Sequence, residues 1–310
     1  MAFQCEVVEY AGDDSTRQEI DLGIVGVPDM AWVIRPISSA SFTYKLWNNS
    51  NDSKRLASSP VSTVGIIELI DGGIAVAKVG GSSTTNHASE TTYRATALKG
   101  AGGDFAVGEY TGDGVSDNVN ISVGFQPDFV FAVPRVGFPR YWTVTKGGDA
   151  SASLGGVNGT FTANGIQGVD SDGFQVGTIL YGAQVHYWAA WKNTANTIQT
   201  GSYTGDGSTG RSITIPNTVT NTPDRELFIQ KEKSSTAFST FTNSFDASDT
   251  HVIGNRHSTT AVQSFGATNF VVDDDVAVND DTFLHHFLMM QTAPAAPSGR
   301  RPPGAMAGMS

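Results

Sequence analysis

Only one cysteine, Cys5, stands in 310 residues, so no disulfide framework within one chain can hold this fold. Basic residues are also scarce: 19 Lys and Arg face 30 Asp and Glu, a formal net charge of −11. Such a chain has no positive field to gather a phosphate backbone, and nucleic acid is not an expected partner. Charged residues make up only 16%, against about 25% in an ordinary globular chain. Ser, Thr, Asn and 35 Gly supply the polarity instead, a profile of strands and turns. No apolar run approaches the roughly 18 residues of a membrane span, so no membrane insertion is expected. The opening Met1-Ala2-Phe3-Gln4 has neither a basic nor an apolar leader region. Synthesis in a cytoplasm without a signal peptide follows as the expectation. No run of helical period exceeds about ten residues.

What is present is a repeat of about 95 residues. Val8-Glu9-Tyr10-Ala11-Gly12-Asp13-Asp14 recurs as Gly108-Glu109-Tyr110-Thr111-Gly112-Asp113-Gly114 and as Gly201-Ser202-Tyr203-Thr204-Gly205-Asp206-Gly207. Each opening leads through a polar stretch to a short strand-like segment (19–22, 120–123, 212–215) and then to a Pro-Asp pair: Pro28-Asp29, Pro127-Asp128 and Pro223-Asp224. The Tyr-to-Pro intervals are 18, 17 and 20 residues, differing only by loop-sized amounts. Another 45, 46 and 46 residues lead to Gly73, Gly173 and Asn269, each opening a short apolar strand. Every copy closes on a last strand, at 92–99, 185–192 and 283–291. A self-similarity matching at four landmarks sets the architecture before any motif is weighed.

Each landmark reads as β-structure. An aromatic and a β-branched residue before Gly-Asp-Gly describe a strand running into a tight turn, where glycine permits positive φ and Asp tolerates it. Pro ahead of an apolar run suits the first residue of a strand. Continuous runs such as Phe129-Val130-Phe131-Ala132-Val133 suggest strands covered on both faces. The predicted fold is therefore all-β, three tandem β-sandwich or jelly-roll-like repeats at 1–100, 101–196 and 197–292, followed by a Pro/Gly-rich C-terminal tail at 293–310. Short linkers favour contact between neighbouring repeats, as an internal pseudo-trimer or in a line. On this division, residues 101–196 alone are expected to fold cooperatively. The tail cannot build a core. Its Arg300, Arg301, Pro302 and Pro303 are the expected assembly anchor, pinned by a neighbouring subunit.

The second copy resembles a β-rich repeat of bacteriophage virion proteins, met in tail-fibre-like and minor tail proteins. The residues that carry the resemblance are Tyr110-Thr111-Gly112-Asp113-Gly114, Gly124-Phe125-Gln126-Pro127, a central Trp142, Gly173-Phe174 and Tyr187-Trp188-Ala189. It covers about 85 residues of that copy. The third copy keeps the opening and the Pro-Asp step but lacks the Gly-Phe before Pro and the Trp; the first keeps Trp47 but has Asp14 in place of the last turn glycine. The resemblance implies a non-enzymatic structural protein on the virion surface, a minor tail, baseplate or tail-fibre component, or alternatively a capsid decoration or head-fibre protein. It also implies other virion proteins as partners in a multi-subunit assembly.

Residues with chemical potential have ordinary readings. His285 and His286 are adjacent, hence on opposite faces of a regular strand, and His251 and His257 lie outside zinc-motif spacing. The acidic runs Asp273 to Asp275 and Asp280-Asp281 lack a calcium-loop pattern and read as solvated hairpins. The Gly-Asp-Gly segments are followed by polar strands, not by the helix and Lys of a phosphate cradle. No nucleophile elbow occurs. No metal, cofactor or catalytic residue is expected, and the chain is not expected to be an enzyme. The functional candidates are aromatic: Tyr141, Trp142, Tyr187 and Trp188, neighbours that point to opposite sides of their strands. They form either an interaction surface, such as a platform for host surface glycan or a subunit interface, or the second covered face of a packed sandwich, the reading preferred to a glycan site.

Overall fold

The computed structural model describes residues 2–34, 42–46, 54–55, 65–78, 85–88, 92–100, 102–115, 119–135, 141–144, 153–155, 161–162, 165–178, 180, 182–219, 225–231, 239–243, 250–252, 256–258 and 261–292. Every regular element among them is a strand. The first unit contains β1 (Gln4–Tyr10), β2 (Gln18–Asp21), β3 (Met30–Ile34), β4 (Phe42–Leu46), β5 (Lys54–Arg55), β6 (Ile66–Ile70), β7 (Gly73–Val76) and β8 (Tyr93–Lys99). The second contains β9 (Phe105–Thr111), β10 (Val119–Ser122), β11 (Phe129–Pro134), β12 (Tyr141–Val144), β13 (Ser153–Gly155), β14 (Phe161–Thr162), β15 (Ile166–Val169), β16 (Gly173–Val176) and β17 (Val185–Trp191). The third contains β18 (Ile198–Thr204), β19 (Arg211–Thr214), β20 (Arg225–Lys231), β21 (Ser239–Asn243), β22 (Thr250–Val252), β23 (Arg256–Ser258), β24 (Val262–Phe265), β25 (Asn269–Val272) and β26 (Leu284–Gln291).

Each unit is a sandwich of one large and one small antiparallel sheet. The large sheets run β1-β8-β3-β4-β5, β9-β17-β11-β12-β13-β14 and β18-β26-β20-β21-β22-β23. The small ones run β2-β7-β6, β10-β16-β15 and β19-β25-β24, and among the described residues no ladder joins two units. The repeat extends to irregularities. A bulge interrupts the small sheet after Ile66↔Val76, Ile166↔Val176 and Val262↔Val272, at the same place each time.

The Tyr landmark explains itself in this frame. Tyr10, Tyr110 and Tyr203 close the first strand of each unit beside the start of the last, opposite Tyr93, His186 and His285. Their rings stack on those partners with centroids 5.3, 4.8 and 5.1 Å apart. Each phenol then donates to a carbonyl in the loop before the last strand, at Thr85, Leu180 and Val278. One residue type thus staples the first strand, the last strand and the loop before it to one point. The turn that follows needs a left-handed backbone, held at Asp14 (φ 61°), Gly114 (φ 75°) and Gly207 (φ 65°). The Asp before it caps the turn, accepting from the N–H of Ser15, Val115 and Ser208.

The Pro-Asp landmark works at the opposite end, where the chain leaves a unit. Asp29 accepts from Gly100 N–H at 2.8 Å and Asp128 from Asn193 N–H at 2.7 Å, in each case just past the last strand. Asp224 lies outside the described residues.

Both faces of the central strands β3 and β8, β17, and β20 and β26 are buried. On β17, Trp188 and Ala190 enter the second unit's own core. Tyr187, Ala189 and Trp191 turn to a different one, shared by all three units: Phe3, Cys5, Met30, Trp32, Ile34 and Leu98 from the first, Phe105, Phe129 and Phe131 beside them, and Ile198, Phe228, Leu288 and Met290 from the third. Phe3 meets Phe105 edge-on at 5.8 Å and Phe129 meets Phe228 at 5.4 Å, while β1 lies against β20 and β26. First touches second, second touches third, and third touches first. Of the two arrangements open to the sequence, the chain takes the internal pseudo-trimer.

The shared core has a direction. Following the ladders, its first layer holds Cys5, Leu98 and Met30, then Phe105, Trp191 and Phe129, then Ile198, Met290 and Glu226. Further along the same strands, toward the Tyr turns, the layer holds Arg94, Tyr187, His286 and Gln230, all buried. Glu226 apart, the first end of the axis is apolar, and the other gathers buried polar groups.

The shared core alters the expectation for an isolated unit. Residues 101–196 alone would present Phe105, Phe129, Phe131, Tyr187 and Trp191 on one open face, more apolar surface than a soluble monomer leaves uncovered. The fragment is predicted to self-associate in sedimentation equilibrium, and a monodisperse folded monomer would contradict the shared core.

Candidate functional site

The four aromatic candidates divide by location. Tyr187 and Trp188 point to opposite faces of β17, as adjacent strand residues must, but both faces are covered. Tyr187 is 5% exposed in the core common to the three units and Trp188 6% exposed within its own sandwich. Trp188 lies edge-on to Phe174 at 5.9 Å and extends its indole over Gly108, where a Cβ would fall 2.0 Å from the ring. Neither offers a face to a sugar; they pack, because each side of this sheet has a partner. Tyr141 and Trp142 pair in β12 with Ala132 and Phe131, and their side chains lie outside the described residues. So do Arg300, Arg301, Pro302 and Pro303.

Gly201 repeats the arrangement of Gly108, with a Cβ position 2.7 Å from the Phe287 ring. The glycine two residues before the turn tyrosine in copies two and three is therefore a matter of ring clearance.

The acidic and histidine segments are engaged by protein donors. Asp275 accepts from Ala277 N–H and Ser258 Oγ, each at 2.8 Å, and Asp273 from Gln263 Nε2 at 2.8 Å. Asp280 holds the buried Lys231 ammonium at 2.8 Å, which also donates to the Val276 carbonyl. His285 and His286 face opposite ways, the first into the third unit's sandwich against Tyr203 and the second toward the shared axis. His251 and His257, six apart in sequence, are directly opposed across β22 and β23, a proximity that linear spacing hides. Among the described residues no three His, Cys, Asp or Glu side chains gather as a metal group.

Two asparagines escaped the sequence reading. Asn86 accepts from Asp13 N–H at 2.7 Å and donates to Asp13 Oδ1 at 2.9 Å; Asn279 does the same with Asp206, both at 3.1 Å. Each is fully buried and clasps the Gly-Asp turn to the loop before the last strand. The signal was a 76-residue Tyr-to-Asn interval in copies one and three, absent from copy two, where His186 stands at that interval. Thr292 escaped as well. Its hydroxyl accepts from Cys5 N–H at 2.9 Å and donates toward the Cys5 carbonyl at 2.9 Å and Glu6 Oε1 at 2.7 Å, tying the end of the third unit to the first strand of the first.

The arrangement positions loops and closes a ring. Comparison with protein-family models and with curated proteins finds no match for this chain.

Two consequences can be measured. Asn279→Ala leaves the turn N–H of Asp206 and its carboxylate without their buried partner, and a loss of about 1–3 kcal/mol is expected in denaturant unfolding; an unchanged midpoint would remove the clasp from the structure's essentials. His285 has its pKa pushed down to about 4, chiefly by burial, with Lys231 and His286 adding to the fall and the Phe283 carbonyl and Asp280 opposing it. An unfolded histidine titrates near 6.5, so between about 6.5 and 4 the unfolded chain binds the extra proton. Its contribution is fully present above about pH 6.5 and is lost, to a total of about 3 kcal/mol, as pH falls to about 4. His285→Tyr, the residue type the first unit carries at Tyr93, is expected to flatten that slope. A slope equal to that of the natural chain would contradict the assignment.

Proposed function

We propose that this chain is a non-enzymatic structural protein of the bacteriophage virion surface, a minor tail, baseplate or tail-fibre component. Three sandwiches closed on one core are the observation that carries the reading. The repeated motif residues act in the fold itself: Tyr10, Tyr110 and Tyr203 staple the strands, and Asp29 and Asp128 fix the exits between units. A chain whose recurring residues all serve stiffness and mutual orientation suits a building block, and the resemblance of the second copy to virion repeats supplies the setting. Its partners in this reading are other virion proteins, with the C-terminal segment carrying Arg300, Arg301, Pro302 and Pro303 as the assembly anchor.

Antibody-gold labelling of intact virions by negative stain tests the reading. Gold at the tail or its tip is the expected result. Gold spread over the head would move the protein to capsid decoration, and unlabelled particles beside labelled unassembled protein would overturn the virion assignment.

A further inference from the structure

The three contacts that close the ring are not alike. First to second and second to third are each backed by the polypeptide, whereas no connecting segment joins first to third directly. The two connections also differ. Between the second and third units, Thr194 and Ile198 form a bridge, Thr197 N–H bonds the Thr194 carbonyl, Gln199 Nε2 reaches the Thr194 carbonyl at 3.0 Å, and Gln291 N–H takes the Thr197 carbonyl at 2.9 Å. That connection is stitched into the third unit. Between the first and second units, Gly102 and Gly103 are exposed at φ 87° and 95°, with nothing within 4 Å of where a Cβ would stand. On either side the chain is fixed, Gly100 to Asp29 of the first unit and the Asp104 carbonyl to Lys192 N–H of the second. Rotation concentrates at the two glycines.

The first-to-third seam also carries buried polar groups. Thr96 Oγ1 donates to Glu226 Oε1 across it at 2.6 Å, and Glu226 is 1% exposed. Gln230, also 1% exposed on that face, makes no side-chain hydrogen bond among the described residues. Buried carboxylate and amide groups regain water when such a face parts, so it separates at lower cost than the wholly aromatic contact of Phe129 with Phe228.

We propose that the first unit is an exchangeable arm: it swings out about Gly102 and Gly103, and the face it uncovers on the second and third units is closed by the first unit of a second copy of this chain. The second copy is the occupant that fits, because it remakes the same bonds from Thr96 to Glu226 and from Thr292 to Cys5 and Glu6 in the same geometry. Exchange of an identical element is a low-cost route to a dimer, since every interaction broken within one chain is remade between two. Thr292 is the latch that keeps the arm closed.

Cys5 is the built-in reporter. Its side chain is buried in the shared core and becomes accessible when the arm opens, while its own unit stays folded. In the natural chain a thiol reagent is expected to label Cys5 at least about tenfold faster than global unfolding, a local opening below the full stability, and Thr292→Ala to speed that labelling several-fold. Two differently tagged natural chains held together at high concentration are expected to form mixed dimers at the Cys5 labelling rate. Deleting Gly102 and Gly103, which hinders the arm from returning to its own third unit, is expected to give a species of about twice the 32.7 kDa chain mass. Labelling only at the rate of global unfolding, absence of mixed dimers from the natural chain, or a folded monomer after the deletion would each overturn the proposal. Should the deletion variant fail to fold, the first two measurements decide.

Discussion

The large sheet of each unit puts alternate residues on two faces, and one unit has only one small sheet to cover them. The other face, carrying Trp32, Phe131 and Phe228 at matching positions in β3, β11 and β20, must find cover elsewhere. Removing that area from water is worth about 25 cal/mol per Å², which no arrangement of the units in a row recovers for all three. Closing the three faces on one another does. Asp29 and Asp128 then matter because they hold the chain where it leaves the first and second units.

Most of the strand plan was legible in the sequence, for a local reason. Turns announce themselves through Asp, Gly and Pro, and segments such as 120–123 and 212–215 fell within one residue of β10 and β19. The continuous apolar run at Phe129 to Val133 also signalled a strand with no solvated side. What it could not say is what lies against each side: a partner sheet of the same unit and a neighbouring unit demand the same alternation. Tyr187 and Trp188 show the difficulty, since an aromatic pair on a strand reads alike whether it meets a sugar or two cores. The clasp of Asn86 and Asn279 showed only as a shared interval from the turn tyrosine, and the latch of Thr292 not at all, because each joins positions more than 70 residues apart through one ordinary polar side chain.

The ring also has two distinct ends. Phe3, both inter-unit connections and Thr292 lie at the apolar end of the shared core, through the pairings of Gln4 with Lys99, Phe105 with Trp191 and Ile198 with Met290. The three Tyr turns lie at the other. Copies have diverged least in the parts that hold this geometry, the phenol-to-carbonyl bond and the left-handed turn residue. Among the described residues they differ in the lengths of the outer strands, as between Phe42–Leu46, Tyr141–Val144 and Ser239–Asn243.

Small-angle X-ray scattering of the chain tests the closed ring most directly. A compact body of 310 residues has a radius of gyration of about 20 Å, and that is the value a ring around one core requires. Three sandwiches strung in a line would give a value above about 25 Å with an elongated distance distribution, a result that would contradict the shared core and with it the division of each large sheet between two cores.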